Sequence, residues 1–422
     1  MSEQITPSLI VTFVVAFTLL AGLGVRLWLI SRQIRHVSLN RFQVPVVFET
    51  TISLSSHQKA ADYTLIKTRF SVLEMAFGAT VIICWTFLGG LNALNLALTG
   101  WLGGGMVQQL ALVTSFVIVG GLLEFPLGLY QTFGIEQRFG FNKMTIKLWL
   151  SDLVKSTLVA ACLGLPVLAL LLWIMEATGE FWWLWSWSFW MGFNLLLLIV
   201  YPTFIAPIFN QFKPLEDAAL RDRVNKLMSR CGFSSKGLFV MDGSKRSAHA
   251  NAYFTGFGAA KRVVFYDTLL KQLTPGEVDA VLAHELGHFK HKHIIKRILS
   301  MFGMSLLAFA LLGWLAAQAW FYSGLGVTPN LGMPNNALAL LLFMLTAPVF
   351  SFFITPLMAL ISRKHEFEAD AYAVNQTSGS DLSSALLKLY EDNASTLTPD
   401  PLFAKFYYSH PPASERLVRI LS

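Results

Sequence analysis

Seven apolar runs, each long enough to cross a lipid bilayer, alternate with polar segments along this chain of 422 residues. A helix needs about 20 consecutive apolar residues to span the hydrocarbon core. The runs fall at roughly 7–30, 71–99, 106–130, 156–175, 181–206, 298–320 and 336–361. The connections after the second, fourth and sixth runs are short or uncharged, and residues 321–335 carry no charged side chain. The other connections are long and basic. Arg32, Arg35, Arg41, Lys59, Lys67 and Arg69 lie between the first two runs, and Arg138, Lys143 and Lys147 follow the third. The remaining basic residues fall in 207–297 and beyond 361, with Lys155 at the same-side edge of the fourth run and Arg26 inside the first, near its basic end. Basic residues collect on the cytoplasmic side of membranes. The pattern therefore predicts seven crossings with the N-terminus outside and the C-terminus in the cytosol. Trp182, Trp183, Trp185, Trp187 and Trp190, near the outer end of the fifth run, read as interfacial aromatics.

Composition agrees with the runs. The chain is 54% hydrophobic and 14% charged, with a mean hydropathy of +0.55, whereas soluble domains carry about 25% charge. The net charge of +7 is read as membrane topology, so nucleic acid is not an expected partner. Cys84, Cys162 and Cys231 have no paired spacing, which argues against a disulfide framework or a cysteine metal site. The first run is too long for the apolar core of a cleaved signal, and no Lys or Arg precedes it, so it reads as a retained helix.

Four regions follow: a membrane region at 1–206, a cytosolic segment at 207–297, two further membrane helices at 298–361 and a C-terminal segment at 362–422. Within the cytosolic segment, Arg221 to Met228 suits an amphipathic helix. Residues 237–241 (GLFVM) and 262–266 (RVVFY) have strand composition. The small and polar residues between them read as a loop with an edge strand. A helix from Glu277 to His293 completes the segment. Two strands followed by a helix carrying an HExxH string, as this one does at residues 284–288, is the arrangement expected of a zinc protease, in which an edge strand binds the peptide by strand addition.

That helix contains His284, Glu285 and His288 in the string HELGH. Residues four apart lie one turn apart on the same helical face. Two imidazoles so placed can hold one zinc ion, and the glutamate beside the first can act as general base on the attacking water. Zinc accepts a carboxylate as a third protein ligand. Glu366, in SRKHEFEADAYA after the seventh run, is the candidate, and Asp370 one turn on can accept a hydrogen bond from a ligand histidine and fix its tautomer. His410, in YYSHPPASERL, can stabilise the oxyanion that forms on a scissile carbonyl. His291 and His293 read as polar-face residues, since Glu366 supplies a better third ligand; His249 and His365 have no assigned role. Glu74 and Glu124 lie in or near the runs, and intramembrane carboxylates usually face a cavity or a partner.

With these residues in place, the chain resembles the Ste24-type CAAX prenyl proteases, integral-membrane zinc metallopeptidases of the M48 class. The resemblance runs through EFPLGLYQTFGIEQRFGFNKMT (124–145), YPTFIAPIFNQFKPL (201–215), SKRSAHANAYFTGF (244–257), AVLAHELGHFKHKH (280–293), SRKHEFEADAYA (362–373) and SHPPASERL (409–417). It implies a mainly α polytopic protein. Seven transmembrane helices would enclose a water-filled chamber, joined to a cytosolic α+β metalloprotease domain of gluzincin type. It implies one zinc ion held by His284, His288 and Glu366, with Glu285 as general base, His410 as transition-state stabiliser, Asp370 behind the ligands and Asn251 in contact with the substrate. The expected partners are a peptide or prenylated protein substrate and the lipid bilayer, and the expected oligomeric state is a monomer. Eukaryotic members are often longer and carry an endoplasmic-reticulum retrieval signal that the ending RLVRILS lacks; in a bacterium the membrane would be the inner or plasma membrane. Removal of a C-terminal tripeptide from prenylated peptides is one expected activity, and quality control of membrane proteins is the alternative. A channel or transporter with a structural zinc is remote, because structural zinc normally has four protein ligands and that reading leaves Glu285 without a role.

Overall fold

The computed structural model describes residues 6–255 and 260–421. Gly256 and Phe257, the last two residues of the 244–257 motif, lie outside the described residues. Among those described, seven helices are long and apolar enough to cross a membrane, the number the apolar runs predict. Large apolar side chains such as Phe13, Phe17 and Leu20 point outward from the first of them, as lipid-facing residues do.

The helices extend well beyond the apolar runs. Helix α1 (Pro7–Asn40) starts at the Thr6 cap, whose hydroxyl accepts from the Leu9 amide. Its 34 residues reach about 51 Å at 1.5 Å per residue, against a hydrocarbon core of about 30 Å. Helix α2 (Leu54–Trp85) likewise begins 17 residues before the apolar run at 71–99. The basic ends of α1 and α2 therefore project from the membrane as paired stalks. The second run itself is not one helix. The chain turns after Trp85, with Gly89 at φ +75°, and restarts as α3 (Gly90–Leu102). A Cβ at Gly90 would stand 2.6 Å from the Cys84 carbonyl oxygen, so the turn requires this glycine. Hydrophobicity could not reveal the break, because both sides of it are apolar.

Helix α4 (Met106–Leu129) continues through a π-helical stretch to Phe139. Helix α5 (Ile146–Ala177) and helix α6 (Trp182–Val200) complete the first five crossings, and a second π-helical stretch follows at Tyr201–Ile205.

The soluble part then folds as a four-stranded sheet of order β1-β2-β4-β3. Its strands are β1 (Phe212–Pro214), β2 (Ser234–Met241), β3 (Ala252–Thr255) and β4 (Ala260–Tyr266), with helix α7 (Ala218–Arg230) between the first two. Strands β2 and β4 contain the two segments of strand composition and pair in parallel; β3 pairs antiparallel with β4, with Ala252 opposite Phe265. That leaves β3 on the edge of the sheet, where the loop reading expected a strand. Helix α8 (Pro275–Lys290) packs on the sheet through Val278, Leu282 and Leu286, which share a buried core with Leu238, Val263 and Phe265.

The chain re-enters the membrane as α9 (His293–Ala316). The seventh crossing is α10 (Asn336–Ser351), joined by a single helical turn to α11 (Thr355–Gln376). Half of its most apolar window is buried, against 22% or less in the other six, so it is the central helix of the bundle. Helix α12 (Gly379–Asp392), a short helix at Pro401–Tyr407 and helix α13 (Ala413–Leu421) close the chain. The expected boundaries at 297/298 and 361/362 fall inside α9 and α11: the soluble and membrane parts share unbroken helices.

Candidate metal centre

Helix α8 begins with a reciprocal capping box. Thr274 accepts from the Glu277 amide, and the Glu277 carboxylate accepts from the Thr274 amide at 2.7 Å. Glu277 also accepts from Ser384 at 2.6 Å and Lys388 at 2.8 Å, which pins the start of α8 to α12. Burial alone would raise the pKa of Glu277, but these bonds outweigh it and hold the carboxyl below its ordinary 4.5.

At the other end of α8, Gly287 meets α11. A Cβ there would lie 3.0 Å from Ala369 Cα and 3.1 Å from its carbonyl oxygen. Ala369 is fully buried. The Gly287–Ala369 crossing is thus a close backbone approach that only small residues allow, and it sets the distance between HELGH and EFEAD. Neither residue carries chemistry, and sequence reading did not single them out.

The approach brings His284, His288 and Glu366 together. His284 Nε2 and His288 Nε2 are 3.2 Å apart. Glu366 Oε2 is 3.5 Å from His284 Nε2, and Glu366 Oε1 is 3.4 Å from His288 Nε2. Three ligands set tetrahedrally at about 2.0–2.1 Å from a zinc ion would be about 3.3–3.4 Å apart, so the triangle has the size of a metal site. Glu366 is buried, and its Oε2 has no aligned hydrogen bond although His410 Nδ1 comes within 2.8 Å. An unpaired buried carboxylate oxygen is costly, and a cation at the triangle would satisfy it. Among the described residues these three form the group that could hold a metal ion.

Behind the triangle, Asp370 accepts from His284 Nδ1 at 2.8 Å. Burial alone would lower the pKa of His284, but Asp370 and Glu366 raise it to about 9; the two carboxylates favour positive charge between them. Arg416, 6% exposed, clamps Asp370 with Nε at 2.8 Å and Nη2 at 2.5 Å. Sequence reading gave Arg416 no role. A signal was present: Arg416 lies on the stripe formed by Ala413, Leu417 and Ile420, the buried face of α13. His293, expected on a polar face, is instead 4% exposed and bonded to His288; His291 is exposed as expected.

Glu285, His410 and Asn251 line one cavity of about 790 Å³ together with two members of the triangle, His284 and Glu366. The stalks form part of its wall through Gln33, Tyr63 and Lys67. Asn251 is exposed at the start of β3, where its Oδ1 accepts from the Ala252 amide and its carbonyl from the Tyr266 amide. His410 is presented by a braced segment. Arg32 from α1 binds Asp400 through two nitrogens at 3.2 and 2.9 Å, and Asp400 caps the Pro401–Tyr407 helix. At that helix's far end Arg363 donates to the carbonyls of Ala404, Lys405 and Tyr408, satisfying acceptors that a helix end leaves open. Glu74 lines a second cavity, of about 700 Å³, together with Arg26 and Phe352. Glu124 is exposed on α4.

Comparison with known proteins agrees with this architecture. Residues 33–211 match the CAAX prenyl protease N-terminal region, five membrane helices, and residues 214–422 match peptidase family M48. CAAX prenyl protease 1 of Saccharomyces cerevisiae is 32% identical over 414 residues, covering 92% of this chain and 90% of that protein. The chain belongs to peptidase family M48. The CAAX prenyl protease 1 homolog of rice is 33% identical over 407 residues, covering 92% of this chain and 91% of the relative. The crystal structure of S. mikatae Ste24p superposes with a TM-score of 0.88 at 32% identity, covering 97% of this chain and 98% of that one. This family member is therefore a multi-pass membrane metalloprotease, and the family implies a metal cofactor. The expected fold class, seven-helix count and M48 membership are all borne out.

Proposed function

We propose that the metal is one zinc ion and that the enzyme cleaves prenylated peptides near their C-terminus, releasing a tripeptide, at the cytosolic face of the membrane. The observation that carries this reading is the convergence of two imidazole nitrogens and a buried carboxylate beside Glu285, against the wall of a cavity roofed by the membrane stalks. The relatives' name, CAAX prenyl protease, supports the substrate class. The one-sided distribution of Lys and Arg supports the orientation.

His284, His288 and Glu366 would hold the zinc, which when bound polarises the scissile carbonyl and acidifies the attacking water. Glu285 takes the water's proton on its carboxylate and returns it to the leaving amine. His410 donates a hydrogen bond to the substrate carbonyl oxygen as charge develops there. Asp370 keeps the proton of His284 on Nδ1, leaving the Nε2 lone pair for the metal. The substrate lies against the open edge of β3, and Asn251 contacts its backbone.

Two measurements test the reading. Chelation should abolish peptidase activity and zinc should restore it, while Glu285→Ala should keep one zinc and lose activity by roughly two to four decades. Activity that survives chelation, or a fully active Glu285→Ala, refutes it. In competition, prenylated peptides should show the higher kcat/KM; equal values for unprenylated peptides would assign the enzyme to membrane-protein quality control.

A further inference from the structure

The two histidines of the triangle are held by different means. His284 leans on Asp370, but His288 Nδ1 faces another imidazole, His293 Nδ1, at 3.0 Å. His293 Nε2 in turn faces Glu368 Oε2 at 2.8 Å. We propose that His293 is a positioning residue for the metal: together with Glu368 it forms a carboxylate–imidazole relay that fixes the tautomer and ring orientation of His288.

The proton positions follow from the geometry. To ligate through Nε2, which points at His284 and Glu366, the neutral His288 ring must carry its proton on Nδ1. That proton can only be donated, so His293 Nδ1 must accept it. The proton of a neutral His293 then sits on Nε2 and is donated to Glu368. Each imidazole has one allowed tautomer, set by the carboxylate at the end of the chain.

The backbone is shaped to make this contact. His293 follows His288 by five residues. On a continuous helix that spacing rotates the side chain about 140° away from its predecessor, too far to meet it. The sequence runs helix-compatible through His293, but α8 stops at Lys290 and α9 starts at His293. Between them Lys292 adopts φ +57°, a left-handed conformation that costs a non-glycine residue roughly 1–2 kcal/mol. The reversal swings His293 back onto His288. His365 from α11 then stacks on the His293 ring at 4.0 Å between centroids, 13° from parallel, and holds it in plane. Glu368 lies on the same helix as Glu366 but two residues on, so α11 supplies a ligand from one flank and the relay's anchor from another. Lys364, 3.9 Å from Glu368, favours the ionised form.

The inference rests on His288 being a metal ligand, and the experiment separates the two. Zinc affinity of the full-length protein in detergent is measured by competition with a chelator. His288→Ala should lose stoichiometric zinc; if it retains one tight equivalent, the ligand assignment fails. With that control in place, His293→Ala should bind zinc about 10–100-fold more weakly, the usual effect of losing a hydrogen-bond partner of a ligand histidine. His293→Asn puts an amide oxygen near the position of Nδ1 and should recover most of the loss. Glu368→Ala, at a partly exposed position, tests the anchor without disturbing the core and should weaken zinc several-fold. Parent-like zinc affinity in His293→Ala overturns the proposal, as does an equal loss in the Ala and Asn variants, which would mark a packing effect. Should His293→Ala fail to fold, His293→Asn and Glu368→Ala decide: retention of zinc by the first and several-fold loss by the second support the relay, and parent-like affinity in Glu368→Ala overturns it.

Discussion

Arg416→Met should destabilise the soluble part of the protein more than any surface change, and by an amount the structure bounds. Arg416 is 6% exposed and gives two hydrogen bonds to Asp370, at 2.8 and 2.5 Å, with Glu366 Oε2 a further 3.9 Å away. Asp370 and Glu366 are each 3% exposed. Methionine keeps much of the volume but removes the charge, leaving two buried carboxylates to share His284. Breaking a buried ion pair from one side costs about 3–5 kcal/mol, because the remaining charge is out of reach of water and keeps only His284 as a partner. For a unit of 150–250 residues each kcal/mol shifts the melting point by about 2–4 °C, so the metal-free variant should melt roughly 6–20 °C lower. The assay is thermal unfolding in detergent after chelation, followed by a double-mutant cycle with Asp370→Asn. Neutralising both partners removes the stranded charge, so the double variant should be more stable than the sum of the single losses implies, by at least about 2 kcal/mol. A single variant melting within about 2 °C of the parent, or losses that add within about 0.5 kcal/mol, would refute the claim that Arg416 compensates Asp370.

Zinc affinity should fall with pH. The pKa of His284 is raised to about 9 in the metal-free protein, so below that value a proton must leave before the ion binds. Affinity measured by chelator competition should drop about tenfold per unit from this group alone; a flat profile below about pH 9 would refute the raised pKa of the metal-free ring. Glu277→Gln should lower the melting point at neutral pH by the equivalent of about 1.5–3 kcal/mol, the value of hydrogen bonds to a charged group. Its pKa is depressed below 4.5 in the folded state, so its contribution is present above that value and lost as pH falls through the lower folded one. The gap between parent and variant should therefore close in acid, and a constant gap would assign the effect to packing. His410→Ala should lower kcat by about 10²–10³-fold, as removal of one oxyanion donor does, with zinc affinity changed less than threefold; a loss confined to KM would place His410 in substrate binding instead.

Much of this was legible in the order of residues. Period and length of apolar runs determine how many helices must cross a membrane, because unpaired backbone cannot lie in lipid, and the basic residues mark one side. The four-residue spacings of His284 with His288 and of Glu366 with Asp370 determine that each pair shares a helix face. Arg416 was readable in principle from its place on the stripe of Ala413, Leu417 and Ile420. Tertiary structure alone decided the rest. Gly287 against Ala369, 82 positions apart in sequence, sets how closely their two helices approach, and that contact has no local signature. The break at Gly89 and the reversal at Lys292 both interrupt segments whose pattern is continuous, since hydrophobicity reports the environment of a side chain and not the direction of the backbone. His293 changed from a polar surface residue to a buried partner of His288 for the same reason: its face depends on one φ angle, at Lys292, which the surrounding pattern does not encode.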